Sequence, residues 1–94
     1  MFLEKFRITD KMGIHARPAT KLVQTANKFK FNIYLGFEET QVNMKSITGI
    51  MTLGIANGMI VEVMTEGEDE REALQTLCEL FEKECIGVAA EAIS

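Results

Sequence analysis

Gly13-Ile14-His15-Ala16-Arg17-Pro18-Ala19-Thr20 decides how this chain is read. Proline suits the first turn of a helix, where its missing N–H costs nothing and its φ is already helical. Pro18 therefore sets a helix start near His15. From Ala16 onward, apolar residues recur at Ala19, Leu22, Val23 and Ala26, three or four apart, with Thr20, Lys21, Gln24 and Lys28 outside that face. This is an amphipathic helix. Before it, Asp10 to Gly13 form a loop. Before that, Phe6 and Ile8 alternate with Lys5, Arg7 and Thr9 as in a half-buried strand.

The rest of the chain follows the same alternation of periods. Phe31, Ile33, Leu35 and Phe37 alternate with Asn32, Tyr34 and Gly36, the cleanest strand in the sequence. Glu38-Glu39 make a polar turn, and Val42 and Met44 mark a short returning strand. Ser46 precedes Ile47, Ile50, Met51 and Leu53, a short helix with the serine as N-cap. Asn57-Gly58 is a turn signal. Met59, Val61 and Val63 alternate with Ile60, Glu62 and Met64 in what reads as the last strand. After Gly67, the acidic run Glu68-Asp69-Glu70 opens a helix whose apolar positions are Ala73, Leu74, Leu77, Cys78 and Phe81, with Gly87 as its stop. The expected fold is α+β, in the order β-α-β-β-α-β-α: four antiparallel strands with three helices on one face. Residues 1–87 are expected to form the domain, and residues 88–94 a tail.

Composition narrows the function. The 94 residues suit one domain, and a hydrophobic content of 47% can supply a core. The net charge of -4 argues against direct nucleic-acid binding. No apolar run is long enough for membrane insertion, and Glu4 and Lys5 interrupt the apolar start as a secretory leader would not allow. A cytoplasmic location is expected. Cys78 and Cys85 make no disulfide scaffold; Cys78 reads as a buried free thiol. One histidine and two cysteines give no zinc spacing, and neither metal nor cofactor is expected.

On position alone, His15 reads as a polar residue at a helix start. Its neighbours add chemistry. Ala16 and Arg17 offer free backbone N–H groups at the positive end of the helix, and the Arg17 guanidinium is a strong phosphate partner. The same positive surroundings favour a neutral, nucleophilic imidazole, with its pKa expected to move down. A phosphoryl group on His15 would meet these donors. No candidate base, carboxylate cluster for Mg²⁺ or glycine-rich nucleotide loop stands near, so the chain reads as able to hold a phosphoryl group but not to take one from ATP unaided. Ser46 has a structural role as N-cap, and a phosphate there would also face free N–H groups. On so short a helix, Ile47, Thr48 and Met51 cannot all face inward, and any exposed remainder would make a docking patch.

These residues resemble the HPr family, the histidine-containing phosphocarriers of the bacterial phosphoenolpyruvate:sugar phosphotransferase system. Gly13 to Thr20 look like the active-site motif, and Val42-Asn43-Met44-Lys45-Ser46-Ile47 with Gly49-Ile50-Met51-Thr52-Leu53-Gly54 look like the regulatory-serine segment. The similarity runs from about residue 2 to residue 87. It implies an open-faced β-sandwich, a phosphoryl carrier rather than an enzyme, and transfer from phosphorylated enzyme I to His15 Nδ1 and on to the A component of a sugar-specific enzyme II, assisted by Arg17. It further implies phosphorylation of Ser46 by an HPr kinase/phosphorylase, after which the protein serves a catabolite control repressor, as in Gram-positive members. Thr20, Gln24, Ile47 and Met51 match positions that members present to partners. Thr48 stands where many members have methionine, Glu38-Glu39 lacks the usual Asn-Gly turn, and the tail is longer than usual. A regulatory relative, Crh, keeps the serine and lacks the histidine; Gly67 to Glu70 is similar to that branch, whereas His15 is not. A monomer is expected of a shuttling carrier. The competing readings are a mainly regulatory paralogue acting through Ser46, and a small α+β domain without phosphoryl chemistry.

Overall fold

The computed structural model describes residues 2–66 and 70–90. Its elements run β1 (Phe2–Ile8), α1 (Ala16–Ala26), β2 (Ile33–Phe37), β3 (Thr40–Asn43), α2 (Ile47–Thr52), β4 (Ile60–Thr65), α3 (Glu70–Lys83) and β5 (Gly87–Ala89). The strands form one sheet in the order β3-β2-β4-β1-β5, with antiparallel pairing throughout. Period-two alternation sets the register. Phe6 pairs with Val61 and Leu35 with Val63, and all four side chains are fully buried on the face the helices cover. Ala19, Leu22 and Ala26 from α1 and Ala73, Leu77 and Phe81 from α3 complete the core. Phe6 and Phe81 stack with ring centroids 4.2 Å apart, tying β1 to α3. Gly67 and the acidic Glu68 and Asp69, read as leading into the last helix, lie outside the described residues.

The sheet has five strands rather than the expected four. Gly87 does not stop the helix, and residues 88 and 89 belong to the sheet. The helix stops at Cys85, whose φ of 57° is left-handed. The Cys85 N–H reaches the Glu82 carbonyl (3.1 Å) and the Ile86 N–H the Phe81 carbonyl (2.8 Å), the paired bonds of a Schellman cap. Buried Ile86 and Phe81 supply its apolar contact. Gly87 is needed for a different reason: a Cβ there would lie 2.6 Å from the Arg7 carbonyl oxygen. Its bareness lets β5 close onto β1. Cys78, expected to be buried, is half-buried.

The β2–β3 hairpin turns through Glu38 and Glu39, with Phe37 paired to Thr40. Glu38 takes a φ of 56°, a conformation that favours glycine or asparagine. The departure noted in the sequence thus places a strained residue at the turn.

Candidate phosphoryl-carrier site

His15 is the N-cap of α1, in extended backbone, and its side chain caps nothing. The first intrahelical bond runs from the Ala19 N–H to the His15 carbonyl, 3.0 Å. Pro18 is buried in the first turn, as its chemistry requires, and has no N–H. The N–H groups of Ala16 and Arg17 thus have no intrahelical acceptor, and both residues are exposed. Arg17 makes no hydrogen bond or ion pair among the described residues, leaving its guanidinium available to an anion. The imidazole is about a quarter exposed, at 26%.

The loop before the helix is held from two sides. The Gly13 N–H donates to the Asp10 carbonyl (2.9 Å) and the Met12 N–H to Asp10 Oδ1 (2.9 Å), closing an Asx turn. From the facing loop, the Ile55 carbonyl accepts from the Ile14 N–H at 3.0 Å, and Asn57 Nδ2 donates to the carbonyls of Thr9 and Asp10, each at 3.1 Å. Gly13, with φ 69°, lies so close to this loop that a Cβ would sit 2.2 Å from the Ile55 oxygen. His15 therefore projects from a clamped backbone.

This turn corrects the expectation that no acid–base partner stands near the histidine. Asp10 Oδ2 lies 3.4 Å from His15 Nε2, a long contact, with the aspartate side chain only 14% exposed. The Met12 N–H, opposed by partial burial and aided by His15 and Arg17, holds the Asp10 carboxyl below the usual carboxylate range. It is therefore an anion near neutral pH. The clue in the sequence was local: an aspartate two residues before a donor N–H in a glycine-ended loop. Asn57, read only as a turn residue, also proves to hold the loop.

The remaining candidates divide between α1 and the neighbouring α2. Thr20 is half-buried and donates its hydroxyl to the Ala16 carbonyl (2.8 Å), while Gln24, one turn on, is exposed. Ser46 Oγ accepts from the Gly49 N–H at 3.0 Å, the expected cap. Ile50 turns inward and is buried; Ile47 and Met51 remain 42% and 41% exposed one turn apart, with Thr48 exposed beside them. The apolar remainder expected on this helix is thus present. Among the described residues, no group of three or more histidine, cysteine or acidic side chains could hold a metal ion. No helix there is long and apolar enough to cross a membrane.

The family model for the PTS HPr component phosphorylation site matches residues 3–83. The chain belongs to the HPr family. A phosphocarrier protein HPr from Xylella fastidiosa (strain Temecula1) is 45% identical over 82 residues, covering 87% of this chain and 92% of that protein. Among solved structures, the histidine-containing phosphocarrier protein of Mycoplasma superposes with a TM-score of 0.88 at 34% identity, covering 92% of this chain and 98% of that one. Crh of Bacillus subtilis, described as a swapped dimer, gives a TM-score of 0.70 at 41% identity, covering 78% and 84%. As an HPr protein, the chain is a phosphocarrier and not an enzyme, and its open-faced α+β sandwich is the HPr fold.

Proposed function

We propose that this HPr protein accepts a phosphoryl group on His15 from phosphorylated enzyme I and passes it to the A component of a sugar-specific enzyme II in the cytoplasm. The observation that carries the reading is the partly exposed His15 ring at the start of a helix whose Ala16 and Arg17 N–H groups have no intrahelical acceptor, with an Arg17 guanidinium that pairs with nothing among the described residues on the same turn. The resemblance to HPr carriers assigns the acceptor to Nδ1, and the placement of Nε2 against Asp10 supports that assignment. Arg17 and the two N–H groups take up the charge of the transferred phosphate. They act as donors to an exposed anion, so the group is held without being sealed in. Ile47 and Met51, with Thr48, Thr20 and Gln24 around them, are the surface proposed to receive partners. A shuttling carrier that meets two partners in turn works as a monomer.

The test is phosphotransfer from phosphoenolpyruvate through enzyme I, read by intact mass and acid lability. One acid-labile phosphate, absent in His15→Ala with the fold retained, supports the reading. A His15→Ala protein that still accepts phosphate from enzyme I refutes it.

A second role is supported by Ser46. Its hydroxyl caps a helix whose exposed Ile47 and Met51 are proposed to dock partners. Phosphorylation there by an HPr kinase/phosphorylase would place about two negative charges beside that patch. Binding to a catabolite control repressor would strengthen and transfer from enzyme I would slow. Equal transfer rates with and without phosphoserine would remove this regulation.

A further inference from the structure

We propose that Asp10 is a positioning residue for the phosphocarrier reaction: its carboxylate holds the proton of His15 on Nε2, so that the lone pair is presented at Nδ1. This rests on His15 being the phosphoryl acceptor. The geometry is built into the turn. Asp10 Oδ1 is committed to the Met12 N–H, which orients the carboxylate and leaves Oδ2 facing the ring at 3.4 Å. The Asp10 backbone is fixed in turn by Asn57 Nδ2 and by the Gly13 N–H. The Asp10 and His15 side chains are both partly enclosed, at 14% and 26% exposure, whereas Met12 between them is 73% exposed.

A neutral imidazole has one donor and one acceptor nitrogen, and the partner of one sets the role of the other. An anionic carboxylate can only accept, so it selects the Nε2–H form. With that proton in place, transfer needs no deprotonation of the ring. The Nδ1 lone pair forms the new N–P bond while the donor's own bond to phosphorus breaks, its electron pair remaining on the donor atom. The ring, still carrying Nε2–H, becomes cationic as the bond forms. Asp10 then faces a developing positive charge, and Arg17 is placed to meet the negative charge of the phosphoryl oxygens. The pair of opposite charges on Asp10 and Arg17 thus matches the polarity of the phosphorylated ring. The division of labour is that of an aspartate that orients and supports a catalytic histidine without taking its proton.

The informative variant is Asp10→Asn in the full chain. Its carbonyl can keep the Met12 N–H bond and the turn, but its NH₂ then faces the ring as a donor. That reverses the selection toward Nδ1–H. Long-range proton–nitrogen spectra of the ¹⁵N-labelled protein at mildly alkaline pH read the tautomer directly. The wild type is expected to be Nε2–H, and Asp10→Asn to be shifted toward Nδ1–H. If only about one molecule in ten keeps the competent tautomer, phosphoryl acceptance from enzyme I slows about tenfold. Asp10→Ala, which leaves neither acceptor nor donor, should fall between the two in tautomer ratio. Identical tautomer ratios in wild type and Asp10→Asn would overturn the proposal, as would equal acceptance rates. A wild type that accepts no acid-labile phosphate would instead overturn the role of His15, while the spectra would still decide what Asp10 does to the ring.

Discussion

Replacing Gly13 by alanine should be among the most damaging single-methyl changes in this protein, and Gly54 provides its control. Both glycines sit in left-handed backbone, with φ of 69° and 61°. Any L-residue there costs about 1–2 kcal/mol. At Gly54 the added methyl meets nothing within 4 Å, so the backbone penalty is the whole effect. At Gly13 the methyl would lie 2.2 Å from the Ile55 carbonyl oxygen and 2.7 Å from the Ala56 Cα, both backbone atoms that no rotamer change can move aside. Relief requires the two loops to part by about an ångström, which also breaks the 3.0 Å bond from the Ile14 N–H to the Ile55 carbonyl. Losing that bond adds about 1 kcal/mol, and displaced packing adds a comparable amount. The total is about 3–4 kcal/mol at Gly13 against about 1–2 at Gly54. A domain of this size has roughly 5–14 kcal/mol in all, and each kcal/mol moves Tm by about 4–8 °C. Urea titration of wild type, Gly13→Ala and Gly54→Ala measures the difference. If Gly13→Ala falls within 1 kcal/mol of Gly54→Ala, the two loops are not in the contact described and the clamp on His15 is wrong.

Three further measurements probe other parts of the structure. Cys85→Gly should stabilise the protein by about 0.5–1 kcal/mol in urea, because the left-handed residue that ends α3 then carries no side-chain penalty; a destabilised variant would contradict that cap. Ser46→Ala should cost about 1 kcal/mol by the same assay through loss of the bond to the Gly49 N–H, and an unchanged midpoint would show the cap to be unimportant. Alkylation of the native protein should modify exposed Cys85 well before Cys78, since burial, followed by Glu4, Glu82 and Glu79, pushes the Cys78 thiol up and away from thiolate; mass mapping of the first adduct to Cys78 would refute this.

The parts of the fold legible in the sequence were those with strong periodicity. Phe6 and Ile8, Ile33 and Leu35, Val61 and Val63, and the stripe from Ala19 to Ala26 all point where their spacing requires, because burial on one face over several residues admits one register. The fifth strand escaped because three residues, two of them exposed, offer no period to read. Gly87 was misassigned for a physical reason. Local rules put glycine at the left-handed end of a helix, but here Cys85 takes that conformation, supported by the Phe81–Ile86 contact, and the glycine serves the sheet. Tertiary contact overrode propensity at both positions.

The candidate site divides along the same line. His15, Arg17 and Pro18 declare themselves because a helix start has fixed chemistry: free N–H groups, a preference for proline, and affinity for anions. Asp10 has no such address. It lies five positions before His15, and only the turn that bonds Oδ1 to the Met12 N–H, closed by Gly13 and held by Asn57, brings Oδ2 to the ring. The direction of dependence follows. Arg17 and the backbone donors can meet a phosphoryl group wherever the helix begins, so they tolerate small shifts of the loop. The Asp10–His15 contact, already long at 3.4 Å, does not. A loop displaced by an added methyl at Gly13 would therefore disturb the tautomer before it disturbed phosphate binding. Under saturating phosphorylated enzyme I, the surviving folded fraction of Gly13→Ala should lose transfer rate more than affinity for the donor. An affinity loss with unchanged rate would mean that the loop positions the partner surface rather than the ring.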